Sequence, residues 1–119
     1  MSEKKKISTH YHYLKSNFPE VLDAVENLGA TVRQAGPLDK KTTELIQLGV
    51  AAAMGSTGAV NSHAKRALGA GASRQELEHA LLVLVSTIGF PKVAAALAWI
   101  QAVSYTHLRA HETNDLISY

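Results

Sequence analysis

Between Asp39 and Gly71 two helix-length segments are joined by Gly55-Ser56-Thr57-Gly58, and so short a join can lay one helix back along the other. The first segment, Lys40 to Met54, opens after Asp39, whose side chain suits an N-cap. It offers Leu45, Ile46, Leu48, Val50 and several alanines as surface to bury. Gly55 ends it. The second segment, about Thr57 to Leu68, stops at Gly69 and Gly71. The reversal carries an acid, Glu44, early in one helix and an imidazole, His63, mid-way along the other.

The rest of the chain keeps the helical period. From about Ser16 the series Phe18, Val21, Leu22, Val25, Leu28, Val32 recurs at three and four residues, with Asp23, Glu26 and Asn27 on other faces. Ser16 or Asn17 is placed to cap that helix, Pro19 suits its first turn, and Gly36-Pro37 stops it. Ser73, with Glu76 three residues on, forms a capping box that predicts a helix through Leu77, Leu81, Leu82, Leu84, Val85 and Ile88. That segment is apolar nearly all round, which predicts the centre of the domain. Gly89-Phe90-Pro91 breaks it, and a further helix from Pro91 to about Gln101 carries Val93, Leu97 and Trp99. No stretch alternates with the period of a strand. The expected class is all-α, one small domain of about five helices over residues 16–102, preceded by a loose, Lys-rich N-terminal arm over residues 1–15.

Composition limits what such a domain can do. Charged residues make up 18% of the 119 residues, against an average of about 25%, while 46% are hydrophobic. A short chain buries only roughly 60–70% of its unfolded surface, so a partly apolar exterior and a homo-oligomer are expected. The formal charge of +2 comes largely from Lys4, Lys5 and Lys6, too short a run to point to nucleic acid or a membrane surface. The N-terminus is polar and the longest apolar stretch too interrupted to span a bilayer, so a cytoplasmic location is expected. With no cysteine, the chain has no disulfide framework, thiolate metal site or cysteine redox chemistry. No metal site is expected elsewhere: His10 and His12, beside Tyr11 and Tyr13, form only an i, i+2 pair on the arm. His79 reads as a surface residue near a helix start, and Trp99 as a packing or interface aromatic.

Residues from Val103 onward differ in character. Val103 to Thr113, VSYTHLRAHET, is similar to one reading frame of a common transposase-derived sequencing adapter. On that resemblance residues 103–119 are expected to be a non-native tail, in which His107, His111 and Glu112 carry no function.

The chemistry centres on Glu44 and His63. A carboxylate that accepts from one imidazole nitrogen sets the ring's tautomer and leaves the other nitrogen to move a proton, the work of a general acid or base. The backbone amides from Ser56 to Ala59 stand at the start of the second helix, where the helix dipole favours a substrate carboxylate or a developing enolate. Ser56, Gly58 and Ala59 are therefore the candidate substrate-binding residues. The same spacing also fits a structural role, with His63 an interior hydrogen-bonded histidine and Glu44 a first-turn acid that compensates the dipole.

Glu44, the small-residue loop, His63, the following AKRALGAGASRQELEHALLVL and the turn at Gly89 to Pro91 together resemble the carboxymuconolactone decarboxylase family, which includes the alkylhydroperoxidase D-like proteins. The resemblance runs from about Asp39 to Trp99. It implies an all-helical domain that assembles in threes or sixes, with active sites near subunit contacts. In the family's redox branch the motif is an acid, then Cys-x-x-Cys, then His, and its positions here are Glu44, Ser56, Ala59 and His63. Both thiols are absent, which excludes a thiol peroxidase mechanism. The decarboxylase branch, which lacks Cys-x-x-Cys, resembles this chain more. Its chemistry is loss of carbon dioxide from a lactone acid, which needs an electron sink at the carbonyl and a proton donor for the carbanionic carbon.

The resemblance then implies a carboxy-lyase with no cofactor, His63 as proton donor, Glu44 as its orienter and the amides near Gly58 as the anion site. The alternative is a non-catalytic small-molecule-binding or scaffold member of the family. Lys65 and Arg66 point away from His63, which leaves Arg33 as another candidate for a substrate carboxylate. A Glu44–His63 distance within about 4 Å, facing a pocket of a few hundred cubic ångströms, favours the enzyme; a dry-packed His63 with no cavity favours the alternative.

Overall fold

The structure is a computed structural model that describes residues 3–113, with side chains described for residues 10–103. Every element in that range is helical: α1 Glu3–Asn17, α2 Pro19–Arg33, α3 Lys40–Met54, α4 Thr57–Gly69, α5 Arg74–Leu82, α6 Val85–Ile88 and α7 Phe90–Thr113. No strand occurs among the described residues. The chain divides into two compact units, Met1–Leu38 and Asp39–Tyr119.

In the first unit α1 lies against α2. Much of the stretch that reads as a loose arm is thus helix, and Glu26 of α2 gives the reason. Its carboxylate accepts from the Tyr11 hydroxyl and pairs with the Lys15 ammonium at 3.2 Å, so α1 is tied to a helix of its own chain. The same carboxylate pushes the Lys15 ammonium above its ordinary pKa. Ser16 and Asn17 do not cap the next helix. They finish α1, where Asn17 Nδ2 donates to the Tyr13 carbonyl at 2.8 Å, and α2 starts after Phe18 with Pro19 in its first turn. The apolar stripe of α2 forms as its spacing predicts, yet Phe18, Val21, Val25, Leu28 and Val32 all stay exposed.

The second unit holds the buried core. Asp39 accepts from the Thr42 N–H at 2.7 Å to start α3, and Gly55, at φ 69°, ends it in the left-handed region open to glycine. Ser56 follows at once as the N-cap of α4. α3 runs back along α4, whose other neighbours are α5 and α7. Ala51, Ala52, Ala64 and Ala67 are all buried, and their small side chains let these helices approach closely. Leu48, Val60, Leu77, Leu81, Val93 and Ile100 fill the space between them.

The single helix expected from Ser73 to Ile88 is divided. Its capping box forms: Glu76 N–H donates to Ser73 Oγ at 3.0 Å, and Ser73 N–H donates to Glu76 Oε1 at 2.8 Å. The helix then breaks at Val83 and Leu84, and Leu82, Val83 and Val85 are exposed. An all-round apolar run does not say which face meets the core; here the i, i+4 pair Leu77 and Leu81 is buried, and the central helix is α4. Gly89, at φ 94°, turns the chain into α7, which continues past Gln101. Val103 is buried, whereas the remainder of the expected tail, with His107, His111 and Glu112, lies outside the residues whose side chains are described. No helix among the described residues is long and apolar enough to cross a membrane.

Candidate functional site

Glu44 sits in the second turn of α3, counted from its Asp39 cap, and His63 in the second turn of α4, counted from Ser56. The reversal at Gly55 brings them together, with His63 Nδ1 2.8 Å from Glu44 Oε1. The acid side chain is 1% exposed and the imidazole 17% exposed, so the carboxylate is inside and the ring at the rim. An ionised carboxylate can only accept. In the tautomer whose Nδ1–H donates to that carboxylate, Nε2 is left to accept or return a proton.

Two rows of side chains build the seam around this pair. Glu44, Gln47 and Ala51 are spaced by three and four residues on α3, and Ser56, Ala59 and His63 are spaced by three and four on α4. Each trio therefore shares one face of its helix. The rows are joined at both ends, by His63 to Glu44 and by the Ser56 N–H, which donates to the Ala51 carbonyl at 3.1 Å.

The expected anion site is narrower than the stretch from Ser56 to Ala59. The Ser56 hydroxyl caps its own helix, accepting from the Ala59 N–H at 3.3 Å, and the Ser56 amide is given to Ala51. Thr57 and Gly58, in the first turn of α4, have no intrahelical acceptor for their amides. Two lysines of this unit are engaged elsewhere: Lys41 with Glu76 at 3.0 Å, and Lys92 with the Ala53 carbonyl at 3.0 Å. Arg66 is exposed, and Arg33 belongs to the first unit, where its guanidinium lies beside Gly29.

Sequence reasoning passed over Gln47. Its Oε1 is buried and no described residue donates to it. The signal was available as a polar residue three places after Glu44, set among Leu45, Ile46, Leu48 and Gly49.

A groove of about 470 Å³ opens elsewhere in the unit, between the Leu45, Ile46, Gly49 face of α3 and Val83, Leu84 and Ile88. Neither Glu44 nor His63 lines it. The pair meets the expected distance of about 4 Å or less, whereas the groove belongs to the other flank of α3. Among the described residues no group of three or more His, Asp or Glu could hold a metal ion, and His10 stacks on Tyr13 with ring centroids 6.4 Å apart.

Residues 19–102 match the sequence profile of the carboxymuconolactone decarboxylase family. The chain belongs to that family. The match reaches back through α2, beyond the Asp39–Trp99 span that the motif resemblance covers. An uncharacterized protein of Methanocaldococcus jannaschii is 32% identical over 91 residues, which cover 76% of this chain and 85% of that protein. The fold is similar to the crystal structure of an apo carboxymuconolactone decarboxylase family protein from Legionella pneumophila. The TM-score is 0.74 at 30% identity, over 85% of this chain and 93% of that one. The all-helical class and the family expected from the sequence are therefore the ones found.

Proposed function

We propose that this member of the carboxymuconolactone decarboxylase family is a cofactor-free carboxy-lyase that acts on a small carboxylated lactone or a related acid. The observation that carries the reading is the 2.8 Å contact between His63 and the buried Glu44. As the bond to the carboxylate breaks, carbon dioxide leaves and the electron pair moves onto the neighbouring carbonyl, giving an enolate. The amides of Thr57 and Gly58, at the positive end of α4, face that developing charge. His63, protonated on both nitrogens and stabilised by Glu44, delivers the Nε2 proton to the carbon, which restores the carbonyl, and the imidazole regains a proton from water. The absence of cysteine supports proton transfer over thiol chemistry.

The working form on this reading is a homo-oligomer of three or six chains. The exposed stripe of α2 and the apolar groove beside α3 support it, since each is a surface that association would cover. The groove also favours a second reading, a non-catalytic binding or scaffold member of the family, because it stands apart from the pair. A panel of γ-lactone acids separates the two. Carbon dioxide release by wild type is expected to fall about 10²- to 10⁴-fold in His63→Ala, with deuterium incorporated from heavy water at the former carboxylated carbon. Equal rates in both proteins remove His63 from the mechanism.

A further inference from the structure

We infer that Gln47 selects the ligand of the α3–α4 seam, accepting a hydrogen bond from a hydroxyl or N–H that the ligand carries. The inference rests on the proton-transfer reading for where the ligand lies, against His63 and the start of α4. Gln47 is the middle member of its row, with Glu44 on one side and Ala51 on the other, and its counterpart in the facing row is Ala59. Helical spacing sets Gln47 between Glu44, which His63 contacts, and Ala51, whose carbonyl accepts from the Ser56 N–H, so on this reading a molecule that reaches from His63 to the Thr57 and Gly58 amides passes it.

The Gln47 Oε1 atom is buried and takes no donor from any described residue. Ala59 cannot supply one: its side chain is a methyl group and its N–H is given to Ser56 Oγ. A buried acceptor left without a donor is costly, and its retention is explained if the donor arrives with a ligand. Asn61 Oδ1 is also buried without a donor, but Asn61 lies two residues before His63, about 200° around α4, and so outside the seam. The ligand class follows. It is a small acid or lactone acid with a hydroxyl or amino hydrogen near its reacting carbon, and an analogue that lacks this donor leaves Oε1 unsatisfied. Such a deficit is expected to weaken binding about 10- to 100-fold.

The test uses the full chain and two probes, a γ-lactone acid bearing a ring hydroxyl and its deoxy counterpart, titrated by NMR against wild type and Gln47→Met. Methionine has a similar length and fills the same space without the carbonyl oxygen. Wild type is expected to bind the hydroxylated probe about 10- to 100-fold more tightly, and Gln47→Met to bind the two alike with an unchanged or higher Tm. Gln47→Leu replaces it if the methionine variant fails to fold. Binding of neither probe to wild type, or wild-type discrimination kept by the variant, overturns the inference. If discrimination survives in Gln47→Met while His63→Ala loses turnover, Gln47 is excluded and the proton-transfer reading stands. If Gln47→Met loses discrimination while His63→Ala turns over at the wild-type rate, the selection by Gln47 stands and the proton-transfer reading falls.

Discussion

His63 Nδ1 and Glu44 Oε1 are 2.8 Å apart, with the acid buried and the imidazole at the rim, so the two residues are coupled but not interchangeable. His63→Ala takes a donor from a buried carboxylate and is expected to destabilise by about 1–3 kcal/mol. Glu44→Gln keeps an acceptor oxygen for Nδ1–H and is expected to cost less. Urea unfolding of both single variants and the double variant gives the coupling, expected at about 0.5–3 kcal/mol; strict additivity would mean that the contact does not hold in solution.

Acid should loosen the second unit through its helix starts. The Glu76 carboxyl is held below its ordinary 4.5 by the Ser73 backbone N–H, with Lys41 adding to the effect. Asp39 is held below 3.8 by Thr42, through its side chain and then its N–H. Both folded values lie under the unfolded ones. Their stabilisation is therefore complete above the unfolded values and is lost as pH falls through the lowered folded values. Thermal melts from about pH 6 to about pH 3 should show a falling Tm, with a shallower fall in Glu76→Gln. An identical slope in that variant would leave Glu76 out of the acid response.

Ser73→Ala removes the hydroxyl half of the capping box at 3.0 Å and should cost about 1 kcal/mol at neutral pH. Ser73→Asp, which keeps an acceptor there, should restore most of it. Calorimetry on the pair checks this, and a Tm equal to wild type for Ser73→Ala would contradict it.

Gly55 has φ 69°, and nothing lies within 4 Å of the Cβ that another residue would add. The penalty for Gly55→Ala is thus backbone strain alone, about 1–2 kcal/mol, and Gly55→Asn should cost less. Because Gly55 sets the reversal that joins Glu44 to His63, the His63 side-chain NMR signals should also move in the alanine variant. A melt and a spectrum that both match wild type would argue against this account of the turn.

Association can be read at Leu28, which is 62% exposed in the middle of the α2 stripe. Leu28→Glu is expected to lower the mass found by light scattering if wild type is a homo-oligomer. An oligomer of wild-type mass in this variant would take the stripe out of the interface.

Local pattern and single-residue chemistry were readable before any coordinates. Asp39, Gly55 and the Ser73–Glu76 box mark helix ends because capping and left-handed backbone are properties of residues and their near neighbours. The Glu44 to His63 spacing, with Ser56 and Ala59 where cysteines stand in a related branch, identified the family and the pair worth watching.

Other features depended on partners distant in sequence. The start of the chain reads as a loose arm because nothing near it shows that Glu26 will take both Tyr11 and Lys15. The apolar run after Ser73 promises burial on all sides, and only the placement of α3, α4 and α7 leaves Leu82 and Val83 outside.

The sequence by itself determined where this chain turns helical, where those helices stop, and which acid and imidazole could meet. Tertiary structure decided that they do meet, that the acid is inside and the ring at the rim, and that the Gln47 side-chain oxygen is buried without a donor among the described residues. The physical reason is that capping and periodicity act over one or two turns, whereas burial and hydrogen-bond satisfaction are settled by whichever helix packs alongside.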